Sequence, residues 1–210
     1  MGKFSMTRLG PLFAVVLASV LVLTVSPSAA TAGPASGGAG ALQHQIDLQL
    51  AKTKGGVQIS DNAVAYNNGD VIVVFPNPGQ RKAPAGIGSN VRNTSLARTA
   101  AAESPAIAAG LQDCPDGFTA HSYCFYTDVN WGGRRLQFQN TCVGKASDFG
   151  FDNQTSSWVN NNPNAYEYTY DGSNLSTFLW STGLGASQSS WVGATNNDRM
   201  SSWAKHGDGC

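Results

Sequence analysis

Charged residues are scarce in this sequence of 210 residues, and the two signs cancel. Asp and Glu together number 13, as do Lys and Arg, and they make up 12% of the chain. A net charge of zero produces no long-range field that would draw the protein to nucleic acid or to an anionic membrane. We therefore expect neither as a partner. The 24 glycines favour short strands joined by turns over long salt-bridged helices.

The motifs of common enzymes are also missing. The sequence has no Gly-x-Ser-x-Gly elbow, no His-Glu-x-x-His zinc motif and no glycine loop of the kind that binds phosphate. The neighbouring carboxylates of Asp148 and Asp152 suit a turn better than a general acid and base pair. We predict a protein that is not an enzyme, has no catalytic residue and requires no cofactor.

Long apolar runs are absent except at the N-terminus. Residues 12–25 are almost all apolar, Lys3 and Arg8 precede them, and Ala30 and Ala32 form a small-x-small cleavage site. The alternative is an uncleaved membrane anchor, but the run is short and no charged flank follows it. We predict a signal peptide over 1–32 and a secreted, extracellular protein.

Cysteines are few, and all four lie in the second half of the chain. They are Cys114, Cys124, Cys142 and Cys210. Export to an oxidising compartment favours disulfides, and four cysteines allow three pairings. We favour Cys114 with Cys124 and Cys142 with Cys210. A tetrahedral zinc site is the rival, but no Cys-x-x-Cys pair or suitably spaced His supports it.

Residues 33–76 have the pattern of a small region with one helix and one hairpin. Residues 33–40 have the composition of a flexible linker, and apolar residues then recur at helical spacing over 41–54. Residues 57–59 alternate, and two apolar runs, 63–66 and 71–75, flank a turn that contains Asn and Gly. Three interpretations of this region stay open. It packs against the next domain, it is a propeptide that assists folding and is later removed, or it stays attached as an accessory segment.

Residues 77–110 are dominated by small side chains, and we interpret them as a linker with one brief helix near 96–103. Basic residues at 81–82 and at Arg98 offer sites where a protease could separate the two parts.

The character of the chain changes at residue 111. All five Trp residues and 16 of the 20 aromatic residues fall in 111–210, in short alternating runs separated by Gly, Asn, Asp and Ser. This pattern predicts a mainly β domain of about eight short strands with a core large enough to fold alone.

One short sequence pattern occurs twice in this domain. Residues 152–157, which we call the first hexamer, end in Ser-Ser and precede Trp158. Residues 197–202, the second hexamer, end in the same way and precede Trp203, 45 residues later. A repeat of this size has the length of one four-stranded Greek key.

The first half carries the motif that identifies a resemblance. Tyr126-x4-Trp131-x-Gly133, followed about 20 residues later by the first hexamer, resembles the pattern of βγ-crystallin domains. More narrowly, residues 114–203 resemble a secreted actinobacterial peptidase-inhibitor family whose prototype inhibits metalloproteinases. The resemblance implies a βγ-crystallin-like double Greek-key sandwich of two four-stranded motifs. In the second half, Leu175 and Thr177 stand where the motif has an aromatic residue and a glycine.

The inhibitor resemblance implies occlusion of an extracellular, metal-dependent protease without catalysis. An inhibitor needs a rigid exposed loop, and disulfide-tethered loops serve this purpose. Two candidates are the loop 115–123 and the segment 139–147 around Cys142. The alternative is that both are ordinary turns of a disulfide-bonded domain. We expect the inhibitor to be a monomer.

The crystallin resemblance also implies calcium binding at the hexamers. In that family each site takes a backbone carbonyl from position three, a hydroxyl from position five and a side chain from position two of the other hexamer, and calcium accepts such oxygens. The implied ligands are Gln154, Ser156 and Asp198 at one site, and Arg199, Ser201 and Asn153 at the other. The alternative is that these serines only lock the corner between strands.

Other functions stay open from the sequence. A calcium-stabilised structural or antimicrobial module is one, and a glycan-binding module is another, for which Trp180 and Trp191 are the candidate stacking residues. Arg134 and Arg135 could form a recognition pair, but we expect them to lie on a solvated strand edge.

Overall fold

The computed structural model describes residues 36–87, 110–116 and 121–210. The predicted signal peptide, Arg98 and the predicted helix at 96–103 lie outside the described residues. Within them the chain is mainly β, with antiparallel strands and one α-helix that precedes the strands, as predicted. None of the described helices is long and apolar enough to cross a membrane.

The N-terminal region contains the predicted helix and hairpin. Helix α1 spans Ser36–Lys52, so it begins inside the predicted linker 33–40. Strands β1 (Val57–Ser60), β2 (Ala63–Tyr66) and β3 (Val71–Val74) follow. The turn between β2 and β3 contains Asn68 at a φ of 56°, a left-handed conformation that Asn tolerates.

The repeat region contributes eight strands, as the alternating runs predict. The first motif has β4 (Tyr123–Asp128), β5 (Gly132–Phe138), β6 (Val143–Lys145) and β7 (Ser157–Asn160). The second has β8 (Ala165–Asp171), β9 (Thr177–Ser181), β10 (Ser187–Ser189) and β11 (Ser202–Gly207).

The two motifs exchange one strand each. The order of the first sheet is β1-β2-β3-β5-β4-β7-β10, and the order of the second is β6-β11-β8-β9. In each motif the fourth strand lies beside the first, as in a Greek key, while the third strand joins the sheet of the other motif. The chain therefore forms the double Greek-key sandwich that the crystallin resemblance implies.

Trp203 fills the centre of the sandwich. Its ring is fully buried and stacks on Phe138, with ring centroids 4.6 Å apart. A Cβ on Gly144, in the strand beside it, would lie 2.1 Å from the Trp203 ring, so this position accepts only glycine. The second Ser-Ser-Trp thus supplies the largest core side chain.

The outer face of the first sheet is covered as well. Alternate residues of β4 point away from the sandwich, and there Cys124 and Tyr126 pack with Val159 and Cys114. Cys114 and Cys124 form a buried disulfide, and Cys142 and Cys210 form a second one, which is the pairing favoured from the sequence.

The N-terminal region adds three strands to the first sheet. Strand β3 pairs antiparallel with β5, from Val71 opposite Phe138 to Val74 opposite Arg135. Leu42 and Ile46 of α1 are buried in the same core as the sandwich residues. The hairpin and the β domain therefore share one sheet and one core in the described structure.

This pairing explains a wrong prediction. Strand β5 is internal, between β3 and β4, so Arg134 and Arg135 do not form a solvated edge. The Arg135 side chain is fully buried; it donates from Nε to Gln137 (2.9 Å) and from one terminal nitrogen to the carbonyl of Pro84 (3.0 Å). Burial lowers the pKa of Arg135 below its usual range.

Candidate functional site

The two hexamers lie against each other in a two-fold arrangement. The Asn153 N–H donates to the carbonyl of Met200 (3.0 Å), and the Asp198 N–H donates to the carbonyl of Thr155 (3.1 Å). In both bonds position two of one hexamer donates to position four of the other. The repeat seen in the sequence is therefore a structural repeat about one local axis.

The last serine of the first hexamer holds the folded hairpin between β4 and β5. Ser157 Oγ donates to the carbonyl of Asp128 (2.7 Å) and accepts from the Trp131 N–H (3.1 Å). Asn130, Trp131 and Gly133 have φ values of 55°, 57° and 70°, so the turn needs three left-handed residues. A Cβ on Gly133 would lie 1.9 Å from Thr127 Oγ1, which excludes other residues there.

The second half keeps this arrangement although its sequence departs from the crystallin hairpin motif. Ser202 Oγ donates to the carbonyl of Gly172 (2.6 Å) and accepts from the Leu175 N–H (3.3 Å). Leu175 has a φ of 59°, so it occupies the backbone position that Trp131 has in the first half. The sixth-position serines thus have the same structural role in both motifs.

The serines at position five differ between the two halves. Ser201 Oγ lies 3.2 Å from Asn153 Oδ1, which brings together two of the three groups predicted for one calcium site. Ser156 Oγ instead donates to the carbonyl of Thr127 (2.8 Å). Asp198, the side chain expected beside Ser156, accepts from Asn197 Nδ2 (2.6 Å).

Gln154 and Arg199 are the predicted carbonyl ligands, and their side chains are held by a hydrogen bond and an ion pair. The Arg199 guanidinium binds Asp171 Oδ2 through two nitrogens, at 3.2 and 2.8 Å. The Gln154 side chain accepts from Arg134. Within the described residues there is no cluster of three or more His, Cys, Asp or Glu side chains that could hold a metal. A calcium ion at the hexamers would therefore rely mostly on carbonyl, hydroxyl and amide oxygens, with Asp198 as the one predicted carboxylate ligand.

Arg134 links the first hexamer to the N-terminal region. Its guanidinium donates to Gln49 Oε1 (3.0 Å) on α1 and to the carbonyl of Gly150 (3.2 Å). It also lies over the rings of Phe151 (5.4 Å) and Phe75 (5.6 Å). Burial lowers the pKa of Arg134. A cleft of about 390 Å³ lies here, between α1 and the first hexamer.

The first candidate inhibitory loop, 115–123, is described only at its ends. The buried disulfide between Cys114 and Cys124 closes it. His121 Nδ1 and Asp116 Oδ1 lie 2.7 Å apart across its base. Residues 117–120 lie outside the described part of the chain.

The second candidate, 139–147, is described in full, and we call it the tethered segment. It contains β6, which pairs with β11. The carbonyl of Cys142 accepts from the Lys205 N–H (2.7 Å), and the disulfide joins Cys142 to Cys210. Val143 at its centre is 57% exposed. A large apolar side chain is thus presented on a backbone held by covalent and hydrogen bonds.

The two tryptophans proposed for glycan binding lie in different environments. Trp191 is 52% exposed, whereas Trp180 is half-buried and packs against the core. An aromatic patch that was not predicted from the sequence lies on the outer face of the second sheet, where rings of neighbouring strands contact each other. Its members are Tyr166, Tyr168, Tyr170, Phe178 and His206. The alternation over 166–170 contained this signal, but it did not show which face was solvent-exposed.

Comparison with known proteins supports the resemblance found in the sequence. Residues 108–182 match peptidase inhibitor family I36. The I36 match covers both candidate loops and the first hexamer and ends before the second hexamer. No curated protein matches the chain significantly.

Among solved structures, βγ-crystallin domains are similar to this chain. A domain from Clostridium beijerinckii is 22% identical, over 40% of this chain and 97% of that chain, with a TM-score of 0.36. A βγ-crystallin from Ciona intestinalis is 19% identical, over 40% of this chain and 99% of that chain, with a TM-score of 0.34. Because these scores are below 0.5, the double Greek key rests on the strand order of this chain.

Proposed function

We propose that the protein is a secreted inhibitor of an extracellular peptidase and that the tethered segment contacts the enzyme. The observation that carries the proposal is the exposed Val143 on a segment fixed at both ends. The I36 match supports inhibition as the general activity, and the two disulfides fit an extracellular protein. The inhibitor acts by occlusion and carries out no catalysis.

Rigidity of the tethered segment is what makes it suitable. A flexible loop loses conformational freedom when it binds, and that loss reduces affinity. Here β6 is already paired with β11, and Cys142 is linked covalently to Cys210. Val143 can therefore enter an apolar pocket of an enzyme without a large entropic cost. The target class that we propose is a metallopeptidase, on the basis of the family resemblance in the sequence.

A titration tests this proposal. The full secreted protein is added at increasing ratios to a thermolysin-type metallopeptidase and, separately, to a subtilisin, and residual activity is measured. We expect stoichiometric loss of metallopeptidase activity and little loss of subtilisin activity. Activity of both enzymes unchanged at molar excess would contradict the proposal.

Two matched variants locate the contact. Val143→Asp places a charge at the proposed contact, and Val129→Asp places one on another exposed valine, in the hairpin between β4 and β5. We expect Val143→Asp to raise the inhibition constant by at least about 30-fold, the size of an interface hot spot. Val129→Asp should leave the constant unchanged. Equal effects of the two substitutions would exclude the tethered segment.

We also propose that calcium binds at the hexamers and stabilises the fold. The contact between Ser201 Oγ and Asn153 Oδ1 supports the site that would also use the Arg199 carbonyl. The second site would use Ser156, the carbonyl of Gln154 and Asp198.

Thermal unfolding with calcium and with a chelator is the test, because a ligand that binds only the folded state raises the melting temperature. We expect a calcium-dependent rise that Ser201→Ala reduces and Ser147→Ala, on an exposed serine, does not. An unchanged melting temperature would refute calcium binding.

A further inference from the structure

An acidic residue of the N-terminal region contacts the tethered segment. Asp70 Oδ2 accepts a hydrogen bond from Thr141 Oγ1 (2.7 Å), and Asp70 Oδ1 accepts one from the Asn140 N–H (3.3 Å). Asp70 is thus bonded to two successive residues, one through a side chain and one through the backbone. A carboxylate that accepts two such bonds fixes both the position and the orientation of a short stretch of chain.

The strand register explains why Asp70 reaches this position. Val71, the first residue of β3, lies opposite Phe138, the last residue of β5. Asp70 comes immediately before Val71, and the tethered segment begins immediately after Phe138. In an antiparallel pair, residues beyond the last matched pair stay close together. The addition of β3 to the sheet therefore places the Asp70 carboxylate beside residues 140 and 141.

The contacts of the tethered segment come from different parts of the chain. The disulfide at Cys142 and the ladder between β6 and β11 hold its later residues. Lys205 Nζ, which is buried, donates to the carbonyl of Gln139 (3.4 Å). Asp70 supplies the contact from the N-terminal region, on the side that leads into the exposed Cys142 and Val143.

We propose that Asp70 is a positioning residue for the tethered segment, and that the N-terminal region is therefore a working part of the inhibitor. This inference rests on the proposed function, because the segment that Asp70 orders is the proposed enzyme contact. The N-terminal region then contributes to inhibition as well as to folding. Removal of residues 33–76 would take away both the strand that pairs with β5 and the carboxylate that holds residues 140 and 141.

The experiment uses full-length variants and two measurements. Asp70→Ala removes both hydrogen bonds, Asp70→Asn keeps the shape without the charge, and Asp61→Ala removes an exposed carboxylate of the same region as a control. Amide hydrogen exchange at Asn140 reports the order of the segment, and the inhibition constant reports function. For Asp70→Ala we expect the exchange rate and the inhibition constant each to increase by at least about tenfold, the effect of losing one hydrogen bond to a charged group. Asp70→Asn should lie between wild type and Asp70→Ala, and Asp61→Ala should match wild type.

The outcomes separate this inference from the proposed function. If the wild type inhibits no peptidase, the proposed function fails, and exchange at Asn140 alone still shows whether Asp70 orders the segment. If the wild type inhibits and Asp70→Ala changes neither measurement, the inference is overturned. Faster exchange with unchanged inhibition also overturns it. If Asp70→Ala does not fold, Thr141→Val removes one of the two donors from the segment itself and is judged by the same two measurements.

Discussion

Removal of the disulfide between Cys142 and Cys210 should produce a large and calculable loss of stability. The two cysteines are 68 residues apart in sequence, and both side chains are exposed. Replacement of both by Ser therefore leaves no cavity in the core, and the effect should come mainly from the unfolded chain. A cross-link that closes a loop of this length removes unfolded-state entropy worth about 4 kcal/mol at 25 °C.

The other disulfide gives a useful contrast. Cys114 and Cys124 are only 10 residues apart, for which the same relation gives about 2.7 kcal/mol. Both are fully buried, so their replacement also removes packing. The free energy of unfolding from urea titrations, extrapolated to water, measures each loss.

For the exposed pair, substitution by Ala should give the same loss as substitution by Ser, because neither side chain is packed. A difference between the Ser and Ala variants would show that folded-state contacts matter at these positions. A loss below about 1 kcal/mol would refute the argument from chain entropy.

Three further substitutions test separate features of the fold. Gly133→Ala should lower the free energy of unfolding by more than about 2 kcal/mol, because its Cβ would clash with Thr127 at a φ of 70°. Gly40→Ala should raise that free energy by up to about 1 kcal/mol, because the space around this position of α1 is open. Ser202→Ala removes the two hairpin bonds of the second motif and should cost about 1–3 kcal/mol by the same urea titration. Burial raises the pKa of Glu167 well above its usual value, so the folded protein keeps a proton that the unfolded chain has lost. Stability should fall as pH rises from about 4.3 towards the raised pKa, with a slope of up to about 1.4 kcal/mol per pH unit. Glu167→Gln should remove that fall in a series of urea titrations across pH, and an unchanged slope would contradict the assignment.

Local sequence patterns predicted the elements of this fold well. The 45-residue spacing of the two Ser-Ser-Trp endings predicted two Greek keys, since each serine pair closes one motif. Apolar spacing predicted α1, and the apolar runs before and after the Asn-Gly turn predicted β2 and β3. In each case the signal lies within a few residues of the structure that it predicts.

Long-range pairing could not be predicted in the same way. Nothing near Arg135 indicates that β3, some 60 residues earlier, covers its strand, so local charge suggested an exposed edge. The different bonds of Ser156 and Ser201 could not be predicted from the sequence either. The two hexamers have similar sequences, but their position-five hydroxyls bond to different partners. The contact of Asp70 with the tethered segment depends on the same unpredicted pairing.

A footprint of the bound peptidase shows whether the tethered segment is the contact. Hydrogen exchange of the full-length protein is compared with and without a saturating, catalytically inactive metallopeptidase. We predict slower exchange over 139–145 and no change over 166–170, which carries three half-buried tyrosines of the aromatic patch. Protection confined to the tyrosine-bearing strand, or no protection in any part of the chain, would contradict it.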